Sequence, residues 1–300
     1  MKKFKFRSSG FKVKAIETDY WMPGDDYLNK IVNAIKGEIL DGDMIVISEK
    51  AISVAEGRIV DESGFKPSLL ACFIARFWMR IIWGYLLGRI CHLKIRNIMR
   101  LKNYPLREGA AHKEVALRYA GFLHALLWGS EGGIDGSNLP YAYVSLPLHD
   151  PQKIAERIRR YIWSKLGKNI AVMIADTDKT YSIGNFHFTH RSNILCGIHT
   201  IPGFIAYILG RSLKLKRRST PLALAGIKLS VDLALDVAEA ANKARGSGAG
   251  YTVWDMAERF GVSLTKVTWS MLRSLKHKPI VIVRGLSSFL PKGKNIGTES

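Results

Sequence analysis

The sequence predicts a mixed α/β (α+β) fold. Short β-rich apolar runs alternate with amphipathic helical stretches, turns bearing Gly and Asp separate them, and two acidic clusters each adjoin a β-type run. A length of 300 residues, 47% of them hydrophobic, supplies the core of one large domain or two modest ones. Lys and Arg number 45 against 25 Asp and Glu, a net charge of +20, which directs the chain toward anionic partners: nucleotide phosphates, nucleic acid or a membrane surface. Cys72, Cys91 and Cys196 lie in apolar segments without metal-ligand spacing and read as reduced core residues of an intracellular, cytoplasmic protein. The basic start of the chain is not followed by the apolar region of a secretion signal.

The elements follow in order. Residues 11–16 alternate as a first strand. Gly24-Asp25 opens a helix whose Leu28, Ile31, Val32, Ile35 and Ile39 share a face. Asp41-Gly42-Asp43 turns into a buried strand, 44–47, which exits into Ser48-Glu49-Lys50, polar residues where such strands often face a ligand crevice. Residues 67–92 are nearly long enough to cross a bilayer, but Arg76, Arg80 and Arg89 interrupt them, and a central arginine costs about 2.5–3.5 kcal/mol there. At helical spacing Arg76 and Arg80 share one face and Arg89 lies nearly opposite, so the expectation is a buried helix, or one packed across a subunit interface, rather than membrane contact.

A helix over 112–127 leads to Glu131-Gly132-Gly133-Ile134-Asp135-Gly136-Ser137-Asn138, where glycines free the backbone beside an acid, a hydroxyl and an amide. Such a turn can cradle a metal and phosphate, or merely satisfy its own backbone as an Asx turn. A strand over 141–146 follows, then a helix with Asp150 as N-cap, Pro151 in its first turn and Gly167 as its stop. The strand 170–175 runs into Asp176-Thr177-Asp178, a second acidic cluster, and acids beside buried strands are a recurring way to hold Mg²⁺ or Mn²⁺ against phosphates. His187 and His190 at i,i+3 spacing are only a weak zinc signal. Lys214 to Arg218 is a basic run, expected as a solvated loop able to meet phosphates. A helix over 231–244 gives way to the glycine loop 245–250, whose amides could meet a nucleotide; no GxxxxGK[ST] motif occurs. Ala257, Gly261 and Val267 have helix-turn-helix spacing, which supports a rival, nucleic-acid-binding reading. The last strand is 279–283, and 287–300 reads as a loose tail.

Several of these motifs, in this order, resemble one family. Asp41-Gly42-Asp43-Met44-Ile45-Val46-Ile47 with Ile52 to Arg58, then Gly133 to Asn138, Ile174-Ala175-Asp176-Thr177, the helix 231–244 and Ile280 to Leu286 are similar to the coenzyme F420-0:gamma-glutamyl ligase family, over about residues 13–286, with archaeal ligase-like paralogues the nearest in kind. The resemblance implies one F420:glutamate ligase-like domain over 1–286, with a helical insertion at about 251–278, in an intertwined homodimer. It implies a GTP-dependent amide ligase that phosphorylates the carboxylate of an anionic F420-type acceptor and joins it to L-glutamate, with Mg²⁺ or Mn²⁺ bound. By match, Asp135, Asp176 and Thr177 are the metal ligands. Thr18, Asp19, Tyr20, Trp21, Glu49, Lys50, Asn138 and the loop Ala244, Arg245, Gly246, Ser247, Gly248, Ala249, Gly250 fall at nucleotide contacts. The chain departs from the family at Val54, where a lysine is usual and Lys50 could substitute. It departs also at Ser182-Ile183-Gly184, which replaces Arg-Arg-Gly, and in the glycine loop, which lacks its usual acid. The rival reading is a diverged ligase-like scaffold that binds nucleic acid through its basic surface and the insertion.

Overall fold

A computed structural model describes residues 5–6 and 10–286; the tail expected at 287–300 lies outside them. After a short strand β1 (Lys5–Phe6), β2 (Lys12–Thr18) buries Val13 and Ile16. The helix α1 (Tyr27–Ile35) is capped by Asp26, whose side chain accepts from Asn29 N, and it buries the expected Ile31, Val32 and Ile35. The strand β3 (Met44–Ser48) is apolar throughout its buried length and passes directly into a helix, α2 (Glu49–Ala55), which the polar residues Glu49 and Lys50 open. The short strand β4 (Ile59–Asp61) pairs with β5 (Tyr143–Ser145) in a small separate sheet.

Between them lie α3 (Leu69–Ile90), α4 (Ile95–Lys102), α5 (Leu106–Tyr119) and α6 (Phe122–Ala125). The single helix expected over 112–127 is thus two, because Gly121 at φ +87° breaks it. Next come α7 (Pro151–Leu166), β6 (Ala171–Ile183), β7 (Phe186–Thr189), β8 (His199–Thr200), α8 (Gly203–Ser212), β9 (Lys216–Ala225) and α9 (Val231–Arg245). The helices α10 (Val253–Phe260) and α11 (Trp269–Arg273) precede β10 (His277–Arg284).

The main sheet is mixed, in the order β1-β2-β10-β3-β6-β7-β8, with β9 also paired to β6. Among the described residues only β3–β6 and β7–β8 are parallel. One face of the sheet (Ile45, Ile47, Val172, Ile174, Ile280) packs against α1 and α7, and the other (Val46, Met173, Val281, Val283) against alanines of α9. The central strands β3 and β10 and the first half of β6 are covered on both sides, which is why their sequence is continuously apolar rather than alternating. Instead of ending at Ala175, β6 runs to Ile183, and its register with β9 shifts between Asp176 and Lys179. Such a bulge re-aims side chains, and here it turns out the acidic cluster. The basic run is only partly a loop, since Lys216 to Arg218 belong to β9 and Arg218 is buried against Asp232 and Asp236.

The helices α3, α5, α6 and α8 surround a second core of Ala75, Met79, Trp83 and Leu127. Of the two arrangements expected for α3, the buried helix does not hold: its central turns are wound with π-type hydrogen bonding over Ile74–Leu87, and a third of its most apolar window is buried. By mean hydropathy, 1.4, and by length it could cross a membrane. Of the cysteines expected in the core, only Cys91 is buried; Cys72 and Cys196 are exposed. In the 251–278 stretch Gly261 does end α10 in the left-handed conformation, but a 3-10 turn at Leu264–Lys266 and the five residues of α11 follow. No recognition helix therefore stands where the spacing placed one.

Candidate functional site

The site is built where the turn 131–138, the bulge of β6 and the glycine loop after α9 meet. The turn holds Gly132 at φ +64° and Gly133 at φ +98°. A Cβ on Gly133 would lie 1.5 Å from Arg191 Nη1, so the glycine is required by sterics as well as by its dihedral. The backbone of Asp135 pairs with Ser145 of β5, which aims its side chain into the cleft. There its carboxylate accepts from Ser137 N at 2.7 Å and forms an ion pair with Lys50, whose ammonium also donates to Ser137 O at 2.9 Å and to Ser137 Oγ at 2.8 Å.

On β6, Asp176 and Asp178 flank Thr177 and share a buried partner, Arg191, at 3.2 and 3.6 Å. The other guanidinium nitrogen of Arg191 donates to both oxygens of Glu49 at 2.7 Å. Asp178 also accepts from Ser130 Oγ at 2.7 Å and lies 3.2 Å from His190 Nε2. Burial pushes the pKa of Asp178 up, but His190, Arg191 and Ser130 outweigh it and hold the pKa below the ordinary range. Asp176 is pushed well above it, by burial first and then by the charge of Asp178.

The glycine loop is tied to the turn through Asn138, whose Oδ1 accepts from Ala249 N at 2.6 Å and whose Nδ2 donates to Gly250 O at 3.1 Å. Beneath the loop stands Arg245, with both Nη atoms shut off from solvent and without a hydrogen-bond partner. Burial brings its pKa down from 12.5 to about 10, partly opposed by Asp176. An unpaired buried guanidinium is costly, and native structures rarely keep one without a use.

A pocket of about 140 Å³ gathers Tyr20, Trp21, Lys50, Asp135, Asn138, Asp176, Thr177 and the loop Arg245–Gly250. Of the residues singled out from the sequence, Thr18 and Asp19 line instead an adjoining cleft that shares Tyr20. Ala244 packs against the α9 face of the sheet. Glu49 does not line the pocket: it is buried behind it, on Arg191 and on Leu148 N. Asn138 reaches the pocket wall with its amide spent on the loop. Asp135, Thr177 and Tyr251 also line a second cavity, of about 300 Å³, walled by aromatic side chains that include Tyr104, Trp128, Tyr207 and Trp254.

Sequence reasoning missed Arg191 and a buried network beside that cavity. His112 bridges Glu62 and Glu131 (3.0 Å), and the fully buried Lys113 pairs with Glu131 and donates to Leu127 O at 2.6 Å. Against burial, the two carboxylates raise the His112 pKa to about 10. Lys113 and His112 hold Glu131 at about 2. The one signal available was the run His112-Lys113-Glu114, charged at consecutive positions of a packed helix, so that some of it had to turn inward.

All donors offered by Asp135, Asp176 and Thr177 are hard oxygens, the type Mg²⁺ and Mn²⁺ take. Among the described residues no group of three or more His, Cys, Asp or Glu is gathered to hold a metal, so zinc at His187 and His190 finds no support; His187 Nδ1 lies instead 2.8 Å from Ser182 Oγ. Two carboxylates fit a cation that brings most of its coordination with it as water and phosphate oxygens.

The model of the F420-0:gamma-glutamyl ligase family matches residues 15–285. An uncharacterized protein of Methanocaldococcus jannaschii is 32% identical over 93% of this chain and 98% of its own length. The coenzyme F420:L-glutamate ligases of Archaeoglobus fulgidus and Methanothermobacter thermautotrophicus are 32% and 33% identical, over 52% and 51% of this chain and 55% and 56% of their own. The similarity to the named ligases thus spans about half of each chain, whereas the family match runs nearly end to end: the chain belongs to the F420-0:gamma-glutamyl ligase family.

Proposed function

We propose that this protein is a GTP- and divalent-metal-dependent amide ligase, which activates a carboxylate as an acyl phosphate and joins it to the amine of L-glutamate. An F420-type acceptor, the cytoplasm and a homodimer complete the reading. The observation that carries it is Arg245, a buried guanidinium without a partner under a glycine loop, in the same pocket as Asp135, Asp176 and Thr177. Its vacant donors and the loop's amides match the needs of a polyphosphate. Asp135, Asp176 and Thr177 would hold Mg²⁺ or Mn²⁺, which when bound offsets charge on the transferred phosphoryl group. Lys50 neutralises Asp135 without nucleotide, and its ammonium can turn to a phosphate oxygen when one arrives. The aromatic cavity suits the acceptor ring, and the shared wall at Asp135, Thr177 and Tyr251 would bring its carboxylate toward the phosphates.

The test is isothermal titration with GTP and Mn²⁺. Binding by the wild type that is lost in Asp135→Ala and Asp176→Ala supports the reading, and absence of wild-type binding ends it. Mass spectrometry after incubation with F420 precursor, GTP and glutamate then asks for the glutamate adduct; unchanged precursor under several metals would exclude that acceptor.

A further inference from the structure

The outer face of α3 is left bare by the fold. Along this helix Ala75, Met79, Trp83 and Leu87 turn inward, spaced by four residues, while Phe73, Phe77 and Ile81 keep the same spacing on the outside. Leu69 is 91% exposed, Phe73 55%, Ile81 48% and Leu86 54%, and Phe73 stacks on Phe77 with ring centroids 5.2 Å apart. The neighbouring α8 and its C-cap add exposed Leu209 and Leu213, and Arg211 ties the helix end to the carbonyls of Cys91 and His92 at 2.9 and 3.0 Å. Scattered surface apolar residues need no explanation, but a continuous row of this kind does.

The helices that carry the row contribute only basic charges of their own, while acids reach them from other elements: Glu114, which accepts from Ser68 N, and Asp255 and Glu258, which pair with Arg96 and Arg100. No Asp or Glu occurs between Glu62 and Glu108, nor between Asp178 and Asp232, the two stretches that supply α3, α4 and α8. Lys66, Arg76, Arg89, Lys94 and Lys214 are exposed, and none forms an ion pair among the described residues. The third arginine, Arg80, is turned inward, where it donates to Tyr104 O at 2.8 and 2.6 Å and leaves the outer row unbroken.

We propose that this face docks the protein on an anionic lipid surface, with α3 lying in the membrane plane. Apolar side chains would enter the headgroup boundary while the flanking lysines and arginines meet lipid phosphates. A spanning arrangement is excluded by the inner row, which is fixed to the body of the protein: Trp78 and Trp83 both donate to Leu126 O, at 2.8 and 2.7 Å. A second copy of the chain is a poorer occupant. A two-fold interface would set the exposed, unpaired cations of this face against their own copies and bring like charges together.

Flotation of the full chain with phosphatidylcholine vesicles, with and without added phosphatidylglycerol, tests this. Each cation that meets the anionic surface tightens partitioning by about five-fold. We expect the protein to float with anionic vesicles at low salt, to float far less with neutral ones, and to be released by added salt. Phe73→Glu with Ile81→Glu should abolish flotation without lowering the melting temperature, since both side chains are exposed. In Phe77→Trp, brominated acyl chains should quench fluorescence beyond what they quench in the wild type. Failure of the wild type to float with anionic vesicles would overturn the proposal, as would equal flotation of the double variant. A molar mass, by size exclusion with light scattering, that halves in Phe73→Glu/Ile81→Glu would assign the face to a second copy instead.

Discussion

Replacing Arg245 with methionine separates a binding role from a structural one, because the two predict opposite signs. Methionine keeps the apolar stem and removes the charge. The fall in the Arg245 pKa from 12.5 to about 10 corresponds to about 3 kcal/mol of unfavourable burial. The stem is partly open to solvent, so water screens part of this and a gain of about 1–2 kcal/mol remains. The guanidinium is charged in both folded and unfolded chains below pH 10, so the gain is constant at neutral pH and fades only above that value. Arg245→Met should therefore melt a few degrees higher than the wild type in calorimetry without ligand. Titration should show the reverse for GTP. One or more charge-assisted hydrogen bonds to phosphate are lost, about 1.5–3 kcal/mol, so Kd weakens about ten- to hundred-fold. Guanosine, which has no phosphate, should bind both proteins alike. A variant that is less stable and binds GTP as well as the wild type would refute the assignment of Arg245 to the phosphates.

Three further outcomes follow from the site. Gly133→Ala should cost more than about 3 kcal/mol in chemical denaturation, since its Cβ overlaps Arg191 and its φ is +98°; Gly64→Ala, with open space around it, is the mild control. Glu131, at about 2 against an ordinary 4.5, adds stability above pH 4.5 that is lost as pH falls toward 2. His112, at about 10 against 6.5, adds stability below pH 6.5 that is lost as pH rises toward 10. The stability difference between wild type and His112→Gln, measured by denaturation across pH, should therefore be largest between about 4.5 and 6.5. Asn138→Ala frees the glycine loop from the turn and should raise hydrogen exchange at Ala249 and Gly250 while weakening GTP binding; unchanged exchange would show that Asn138 does not hold the loop.

What local chemistry encodes was legible. The Asp150 cap, Pro151 and Gly167 bound α7 as expected, because each acts within one helical turn. The end of β6 was misread, since Asp176 to Thr180 are polar and look like a loop; they remain in the strand because β9 continues to pair beside them past the bulge. Asp135, Asp176, Thr177 and the glycine loop, singled out through motif order, line one pocket. Arg191 was not singled out, and no window of sequence announces it: its partners Glu49, Asp176 and Asp178 reach it only through the sheet. The exposure of α3 was equally hidden, because an apolar run does not say which of its faces the rest of the chain will cover.

The place of Arg191 also sets an order of events during folding. It lies 142 positions after Glu49, yet the turn at Gly133 closes directly over its guanidinium. A nascent chain that has emerged only as far as α7 carries the turn and the acid at position 49 but not the cation between them. The cleft must then wait until β6 and β7 have been made and have reached their neighbours. Contacts of such long sequence separation form slowly. Binding competence should consequently arise as one of the last steps of maturation.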